Sequence, residues 1–521
     1  MTSLFKLWLL NASCFAWFLV LPVSGEIQGS KPNIIYILAD DLGYGDVQTL
    51  NPKRGKIATP QMDKLAAEGM VFTDAHTGSS VCTPTRYGVL TGRYSWRTRL
   101  KSFVLWGFDQ PLIAKDRLTV ASLLKEQGYN TAIVGKWHLG LGLRTPDGKP
   151  TRGMKSPIDG VDWDARIVGG PVDLGFDSWQ GIAASLDMPP YIYIEDDRFV
   201  GECTTIKNFY RNREGPAHAD FEAIDVLPVI GNKSADYIQK QTADEPFFLY
   251  VPLTSPHTPI LPTEEWKGRS GLSAYADFVM HTDAVVGQIV DAVDAAGLAE
   301  NTIIIVTSDN GCSKVADIED LQAQGHYPNG QFRGAKSDLW DGGHRVPFIV
   351  RWPAVVEPGS SSDEIICLND LMATAADLAG ATLPSDAGED SVSFLPALKF
   401  ERIVSSREGI VHHSVNGQFA IRRGDWKLIF SAGSGGWTDP THGAALREGL
   451  PPIQLYNMAE DPSETENLQA EYPEVVSELA ALLETYIDSG SSVDGKTGRN
   501  DPLGNQRWKQ LEQIRPILRN R

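Results

Sequence analysis

A cysteine at the start of a predicted helix is the most reactive group that this chain offers. Pro84 is typical of the first turn of a helix, and Gly92 is typical of the residue that closes one. Cys82 would then lie just before the helix N-terminus, where free backbone N–H groups and the helix dipole favour an anion. Arg86, one turn further on, can point to the same place. The pattern indicates a nucleophile beside an anion site, and a buried structural cysteine is the alternative interpretation.

Two pairs of oxygen-bearing side chains could bind a metal ion. Asp40-Asp41 and Asp309-Asn310 each follow an apolar run, and they offer oxygen ligands only. Such ligands suit a hard divalent cation, calcium or magnesium, rather than zinc. Asp and Asn also favour helix caps and turns, so capping is the alternative for either pair taken alone. The presence of both pairs, each after an apolar run, favours the metal.

Four apolar runs predict the strands that must position these groups. The runs cover 34–38, 131–134, 247–251 and 303–306, and the polar residues that follow them are Asp40-Asp41, Lys136 with His138, His257, and Asp309-Asn310. Continuous apolar runs are typical of strands that are covered on both faces of a parallel sheet. Helices are predicted between them, from Thr59 to Gly69, from Thr119 to Gly128 and from Ser273 to Ala296. The fold class is therefore predicted to be α/β, with a mainly parallel central sheet flanked by helices and with ligands beyond the carboxyl ends of the strands.

The sequence pattern changes near residue 383, which indicates a second, smaller domain. Two apolar runs flank Asn416-Gly417, a favourable hairpin turn, and a helix is predicted from about Pro473 to Ser489. We predict a catalytic α/β domain over residues 26–395 and a smaller C-terminal α+β domain with an antiparallel sheet over 396–521. Residues 141–245 show few periodic elements, and 313–333 is predicted to be a long connection. Together with 95–110, the loops in 141–220 and 313–333 are expected to decide what binds.

Charge and cysteine content exclude several classes of protein. The 521-residue chain has a formal net charge of −19, which argues against general nucleic-acid binding. An anionic substrate would have to be attracted by local charge. With Cys82 reserved for chemistry, Cys203, Cys312 and Cys367 can form at most one disulfide, so the chain is no disulfide scaffold. None of the cysteines has zinc-site spacing.

The N-terminal segment predicts export. Residues 1–25 combine a short basic start, an apolar run and small residues at 23–25, which is typical of a secretory signal peptide cleaved before Glu26. An uncleaved membrane anchor is the alternative, although polar residues interrupt the run. We expect a protein without a stable membrane anchor in the periplasm or outside the cell, or in a lysosomal-type compartment of a eukaryote.

The run that begins at Cys82 resembles the signature of a known family. Cys82-Thr83-Pro84-Thr85-Arg86, followed by Leu90-Thr91-Gly92-Arg93, is similar to the signature of the sulfatases, arylsulfatase A-like members of the alkaline phosphatase superfamily. The resemblance implies that a formylglycine-generating enzyme oxidises Cys82 to formylglycine, whose hydrated aldehyde is the nucleophile. It also implies one bound calcium ion, with magnesium less expected. The implied ligands are Asp40, Asp41, the modified residue 82, Asp309 and Asn310.

Three further motifs, together with runs at 455–457 and 461–468 that resemble the family's C-terminal fold markers, extend the resemblance to about residues 31–470. Gly135 to Gly140 resembles the second family signature, which implies that Lys136 contacts the sulfate and that His138 takes a proton from the covalent intermediate. Thr254 to Pro259 resembles the run in which His257 contacts the sulfate and helps to protonate the leaving alcohol. Lys336 is expected to reach the sulfate together with Arg86 and Lys136. Ala335 and Asp341 replace the more usual glycine and glutamate, and neither change touches Lys336. The alternatives are a surface lysine beside a packed histidine, and a histidine in a turn.

These motifs predict an exported sulfatase that hydrolyses sulfate esters. Exported sulfatases commonly act on sulfated polysaccharides, so a sulfated glycan is the expected substrate. The aromatic residues that could stack on a sugar ring are Trp106, Phe108, Trp163, Trp179, Tyr191 and Tyr193, and core packing is the alternative for each. Three other functions stay open at this point: a formylglycine-dependent hydrolase of phosphate or phosphonate esters, a secreted glycan-binding protein that has lost catalysis, and a structural exported protein.

Overall fold

The computed structural model describes residues 31–502. The signal peptide predicted at residues 1–25 lies outside this range. The strands are β1 Asn33–Asp40, β2 Met70–Phe72, β3 Ala75–His76, β4 Asn130–Lys136, β5 Ser178–Ile182, β6 Ile194–Glu195, β7 Arg198–Phe199, β8 Thr205–Lys207, β9 Gly215–Ala217, β10 Phe247–Pro256, β11 Thr302–Ser308, β12 Phe348–Arg351, β13 Ser360–Ser362, β14 Ile366–Cys367, β15 Ile410–His413, β16 Phe419–Arg423, β17 Trp426–Ile429 and β18 Gln454–Asn457. The α-helices are α1 Pro60–Ala67, α2 Cys82–Thr91, α3 Val120–Glu126, α4 Val226–Ile238, α5 Ala274–Ala295, α6 Ile318–Ala323, α7 Asp341–His344, α8 Leu371–Ala379, α9 Leu395–Leu398, α10 His442–Arg447 and α11 Pro473–Ser489.

A ten-stranded sheet forms the centre of the fold, in the order β13-β2-β12-β11-β1-β10-β4-β5-β6-β7. The five strands β11, β1, β10, β4 and β5 are parallel to one another. Along β1, Ile35 and Ile37 face one hydrophobic core, whereas Tyr36 and Leu38 face the other. Both faces are covered, which is why the four apolar runs are continuous rather than alternating. The predicted α/β class and the mainly parallel sheet are confirmed.

The C-terminal sheet is antiparallel, with strand order β15-β16-β17-β18. The predicted hairpin joins β15 to β16, and Gly417 lies at its turn with a φ of 79°. Helix α11 covers the sheet by packing Leu479 and Leu483 against Ile421 and Leu428. The antiparallel C-terminal sheet is therefore confirmed. The boundary at residue 395 stays a prediction.

Two regions hold more regular structure than the sequence indicated. Residues 141–245 contain strands β5 to β9 and the 13-residue helix α4, and 313–333 contains α6. Helix α4 buries Leu227, Ile230 and Ile238 along one side. Pro228 and Gly231 are poor helix formers, so the helical spacing of these apolar residues was not recognised in the sequence. Proline is tolerated there because it lies in the first turn, where no backbone bond is lost. The expectation of few periodic elements in this region was wrong.

The described residues include four cysteines and every helix that was tested for its ability to span a membrane. Cys82, Cys203, Cys312 and Cys367 are all buried and free, so the one disulfide that the sequence allowed does not form. Between residues 31 and 502, no helix has both the length and the apolar character needed to cross a membrane.

Candidate active site

The carboxyl ends of four neighbouring parallel strands meet at one edge of the central sheet. Strand β1 lies between β11 and β10, and β4 lies on the far side of β10. Their polar ends therefore meet, as expected at this edge of an α/β sheet. The residues brought together are Asp40 and Asp41 from β1, Lys136 and His138 from β4, His257 from β10, and Asp309 and Asn310 from β11.

Helix α2 points its N-terminus at this edge. Val81 is the cap residue and Gly92, with a φ of 62°, ends the helix. Cys82 is the first helical residue rather than the residue before the helix, a one-position correction that leaves it among the free N–H groups of the first turn. Its Sγ lies 3.5 Å from Asp40 Oδ1 and 3.5 Å from Lys336 Nζ. All ten residues of the helix are buried, so the cysteine is held rigidly.

Three buried cations face three buried carboxylates around Cys82. Lys136 Nζ donates to Asp40 Oδ2 at 2.6 Å, and Lys336 Nζ donates to Asp41 Oδ1 at 2.6 Å. The third pair, Arg86 with Asp309, is joined through Nε at 3.0 Å and Nη2 at 2.7 Å to the same Oδ2. The cluster is electrically balanced as it stands. Each cation that could bind a sulfate is therefore already paired with a carboxylate that could bind a metal.

The pKa values of Asp40 and Asp309 are shifted in opposite directions because their charged neighbours differ. Burial alone would raise the pKa of Asp40, but Lys136, His257 and Arg86 outweigh it and hold that pKa well below its usual value. Burial and the adjacent negative charge of Asp40 raise the pKa of Asp309, in spite of its pairing with Arg86. The edge therefore holds one firmly ionised carboxylate and one that accepts a proton more readily.

The Cys82 thiol is a poor nucleophile in this setting. Burial raises its pKa, and the positive charges of Lys136 and Lys336 only partly oppose that shift. The thiolate is the reactive form of cysteine, and here it is disfavoured at neutral pH. An unmodified Cys82 is therefore poorly suited to act as a thiolate nucleophile.

Each site histidine has one ring nitrogen held by a backbone carbonyl, which leaves its other ring nitrogen free of backbone contacts. His138 Nε2 lies 2.8 Å from the Leu105 carbonyl, which can only accept, so Nε2 carries the proton and the buried Nδ1 keeps a free lone pair. Burial, together with Lys136, lowers the pKa of His138 well below its usual value. His257 Nδ1 likewise donates to the Thr258 carbonyl at 2.6 Å, which leaves Nε2 3.8 Å from Asp41 Oδ2.

The oxygen donors at this edge fit a hard cation. The donor atoms of Asp40, Asp41, Cys82 and His257 all lie within 4.8 Å of one another. Asn310 Nδ2 donates to Asp41 Oδ1 at 2.7 Å, whereas Asn310 Oδ1 is buried and has no hydrogen-bond partner among residues 31–502. A buried carbonyl oxygen without a partner is costly, and a cation would satisfy it. Asp41 also has a φ of 68°, a strained conformation of the kind that clusters at functional sites.

A buried hydrogen-bond network supports the Asp41 loop, and the sequence pattern did not indicate it. Asp46 accepts from Gly43 N at 2.8 Å, from the Tyr275 hydroxyl at 2.5 Å and from His326 Nε2 at 2.9 Å. The Tyr275 hydroxyl also lies 3.3 Å from the Asp41 carbonyl. The two long-range partners are more than 220 residues away in the chain, and no local pattern marks them. The run Gly43 to Asp46 next to Asp41 was the only available signal.

A second cluster of buried histidines does not suit a metal. His76, His344 and His412 bring ring nitrogens within 4.8 Å of one another. However, Lys427 Nζ lies 3.1 Å from His344 Nε2, and Arg422 Nη1 lies 3.2 Å from His76 Nε2. His76 Nε2 also lies 2.6 Å from Asp74 Oδ1, so these two ring nitrogens are already engaged by charged side chains and are not free to bind a metal ion.

Of the six aromatic candidates for sugar stacking, three are buried and three are partly exposed. Phe108, Trp179 and Tyr191 are at most 1% exposed and belong to hydrophobic cores, so for these three the core alternative holds. The partly exposed members of the set are Trp106, Trp163 and Tyr193.

Comparison with known proteins identifies the family. The sulfatase family model matches residues 32–381, and the model of the C-terminal region of aryl-sulfatase matches 405–510. The chain is 34% identical to an N-acetylgalactosamine-6-O-sulfatase of Bacteroides thetaiotaomicron, over 88% of this chain and 93% of the relative, and 32% identical to human arylsulfatase A, over 89% and 90%. A solved structure from work on glycosaminoglycan metabolism by Bacteroides thetaiotaomicron superposes with a TM-score of 0.75 at 33% identity and covers 88% of this chain and 99% of its own. The chain therefore belongs to the sulfatase family of sulfuric ester hydrolases.

Proposed function

We propose that the protein is an exported sulfatase that removes sulfate from a sulfated carbohydrate, using a formylglycine made from Cys82 and one bound calcium ion. The observation that carries the proposal is the place of Cys82. It lies at the N-terminus of a fully buried helix, with Asp40 on one side and Lys336 on the other, each at 3.5 Å from its Sγ. The raised pKa of the thiol makes an unmodified cysteine unsuited to attack.

The absent groups would complete the chemistry of the edge. Formylglycine supplies a hydrated aldehyde whose hydroxyl can attack sulfur, and calcium supplies positive charge beside the sulfate oxygens. Asp40, Asp41, Asp309 and Asn310 offer the oxygen ligands for the ion, together with residue 82. Magnesium is less expected because the set offers more oxygens than a magnesium ion with several retained waters would use.

The three cations have the role of holding the sulfate. Arg86, Lys136 and Lys336 are each bound to one carboxylate in the structure, at 2.6–2.7 Å. When the carboxylates turn to a divalent cation, the cations become available to the anion. Positive charge fixed around the sulfur also stabilises the charge that develops on the sulfate and on the leaving oxygen.

The remaining residues move protons. The raised pKa of Asp309 suits it to accept a proton from the attacking hydroxyl. His257, whose Nε2 faces the edge, and Lys336 are the candidates to protonate the leaving alcohol. The free Nδ1 lone pair of His138 is the acceptor for the proton that must leave the second hydroxyl before sulfate is expelled.

The relatives support a carbohydrate substrate and the sequence supports export. One relative is named for sulfated N-acetylgalactosamine, and one structural neighbour comes from work on glycosaminoglycans. The segment at residues 1–25 carries the signal-peptide pattern. We infer that the enzyme acts in the periplasm or outside the cell, or in a lysosomal-type compartment of a eukaryote. A formylglycine-generating enzyme of the host would be its partner in maturation.

Free sulfate released from a panel of sulfated glycans and from one aryl sulfate tests this function. The protein is produced together with a formylglycine-generating enzyme, and the same aryl alcohol is supplied as its phosphate ester for comparison. We expect release from at least one glycan and from the aryl sulfate, with far slower release of phosphate. Faster turnover of the phosphate would contradict the proposal, and so would glycan binding without any sulfate release.

A further inference from the structure

Two loops meet beside His138, one of the residues of the catalytic edge. Leu105, in the first loop, accepts from His138 Nε2 at 2.8 Å, and Ala183, which follows β5, accepts from the His138 backbone N–H at 3.0 Å. The loops are in direct contact, since a Cβ placed on Gly107 would lie 1.9 Å from the Pro189 carbonyl oxygen. Side chains that follow Leu105 and Ala183 are therefore held next to His138.

The second loop carries buried polar groups without partners. Asp187 is 5% exposed, and its Oδ1 has no hydrogen-bond partner in the described part of the chain. The hydroxyl of Ser185 is also buried and unpartnered. Leaving such groups unpaired costs free energy, and the cost is greatest for a charged carboxylate. Groups of this kind are suited to a polar ligand that would supply the missing hydrogen bonds.

The first loop and a third segment supply an aromatic face and a donor. The Arg213 guanidinium lies over the Trp106 ring, 4.8 Å from its centroid. Arg213 Nη2 lies 4.0 Å from Asp187 Oδ2, too far for a hydrogen bond, and Nη1 makes only a 3.3 Å contact with Met154 Sδ. Most of the five guanidinium donors therefore remain available. An unsatisfied acceptor and an unsatisfied donor lie side by side against an indole ring.

We propose that Asp187, Arg213 and Trp106 bind the ring of the sulfated sugar and thereby determine specificity, an inference that rests on the proposed carbohydrate sulfatase function. Asp187 accepts hydrogen bonds from sugar hydroxyls, Arg213 donates to neighbouring hydroxyl or ring oxygens, and Trp106 limits the position of the ring. The substrate class is a sulfated sugar with free vicinal hydroxyls beside the sulfate-bearing carbon. An aryl sulfate has no such hydroxyls, so its turnover should not depend on the carboxylate.

The test compares sulfated sugars with an aryl sulfate in matched variants. Asp187→Asn, Asp187→Ala and Arg213→Gln are assayed for kcat/KM on the sulfated glycan that the wild type prefers and on 4-nitrophenyl sulfate. The control is Arg269→Gln, because Arg269 lies over Trp266 at 4.6 Å in an equivalent cation–aromatic pair elsewhere in the fold. All proteins are produced with the formylglycine-generating enzyme, and their Cys82 conversion is equalised by mass spectrometry.

We expect each Asp187 variant and Arg213→Gln to lower kcat/KM on the sugar by about 10- to 100-fold, the range for losing a hydrogen bond to a charged group. Turnover of the aryl sulfate should stay within about twofold, and Arg269→Gln should change neither. Equal losses on both substrates would show a merely structural role and overturn the inference. Unchanged sugar turnover would do the same. If the wild type hydrolyses the aryl sulfate but no glycan, then the carbohydrate substrate fails together with this subsite, whereas the sulfatase activity stands.

Discussion

Replacing Lys427 by methionine should destabilise the protein through two stranded carboxylates. Lys427 Nζ, on β17 of the C-terminal sheet, lies 2.7 Å from Asp341 Oδ1 and 2.7 Å from Glu464 Oε1, and all three side chains are 0% exposed. Removing one member of a buried ion cluster costs about 3–5 kcal/mol, because the remaining charge stays buried without compensation. Burial already raises the pKa of Glu464, which can therefore take up a proton, and Arg345 lies 3.3 Å from Asp341. Both facts place the expected loss in the free energy of unfolding near the lower end of this range, at about 3 kcal/mol.

Urea denaturation at neutral pH measures this loss directly. Lys64→Met is the matched control, since the Lys64 side chain is 49% exposed and its ion pair with Glu68 spans 3.9 Å. An exposed pair of this kind contributes about 1 kcal/mol or less. The double variant Lys427→Met/Glu464→Gln should recover part of the loss, because it removes one of the two stranded carboxyl groups. A Lys427→Met protein as stable as the control would refute the argument from burial.

Three further perturbations follow from the same structure. Burial lowers the pKa of His413 to about 4, so the ring stays neutral in the folded protein at neutral pH. Because the unfolded chain takes up this proton near pH 6.5, the contribution of the neutral ring to the free energy of unfolding is complete above that pH and falls as the pH drops toward 4. The loss is about 2 kcal/mol at pH 5. Unfolding free energies at pH 7 and pH 5 should therefore differ less for His413→Gln than for the wild type, and an unchanged pH slope would contradict this. Chelation of the proposed calcium ion should weaken the binding of inorganic sulfate by about tenfold or more, because Lys136 and Lys336 return to their carboxylates. Calorimetry that finds equal sulfate affinity with and without the chelator would exclude this coupling. Gly311→Ala should lower sulfate release sharply, because its Cβ would lie 1.9 Å from the Gly342 carbonyl oxygen, next to Asn310 of the proposed metal site. Gly443→Ala, whose Cβ meets only a flexible side-chain atom at 3.6 Å, should leave activity intact.

The local sequence pattern predicted those elements whose conformation depends on residues close to one another in the chain. The apolar runs at 34–38 and 303–306 became β1 and β11 because both faces of these strands are covered, and the polar pairs that follow them had to meet at the sheet edge. The glycine at 92 ended α2 in the left-handed conformation, as predicted. The strand ends therefore marked most of the candidate site.

Tertiary contacts explain what the sequence did not reveal. Asp46 supports the Asp41 loop through Tyr275 and His326, partners that only the folded chain brings together. For Trp179 the sequence left sugar stacking and core packing open, and the place of β5 in the central sheet buries it. The pairing of three cations with three carboxylates also depends on side-chain distances of a few ångströms, which motif spacing does not contain.

Sulfate release as a function of the modified fraction of Cys82 shows whether formylglycine is the nucleophile. Preparations made with graded amounts of the formylglycine-generating enzyme provide a range of conversion, which mass spectrometry of the Cys82 peptide quantifies. We expect specific activity to rise in proportion to conversion and to extrapolate to zero for the unmodified thiol, with Cys82→Ala also at zero. Activity that is independent of conversion, or that persists in Cys82→Ala, would contradict it.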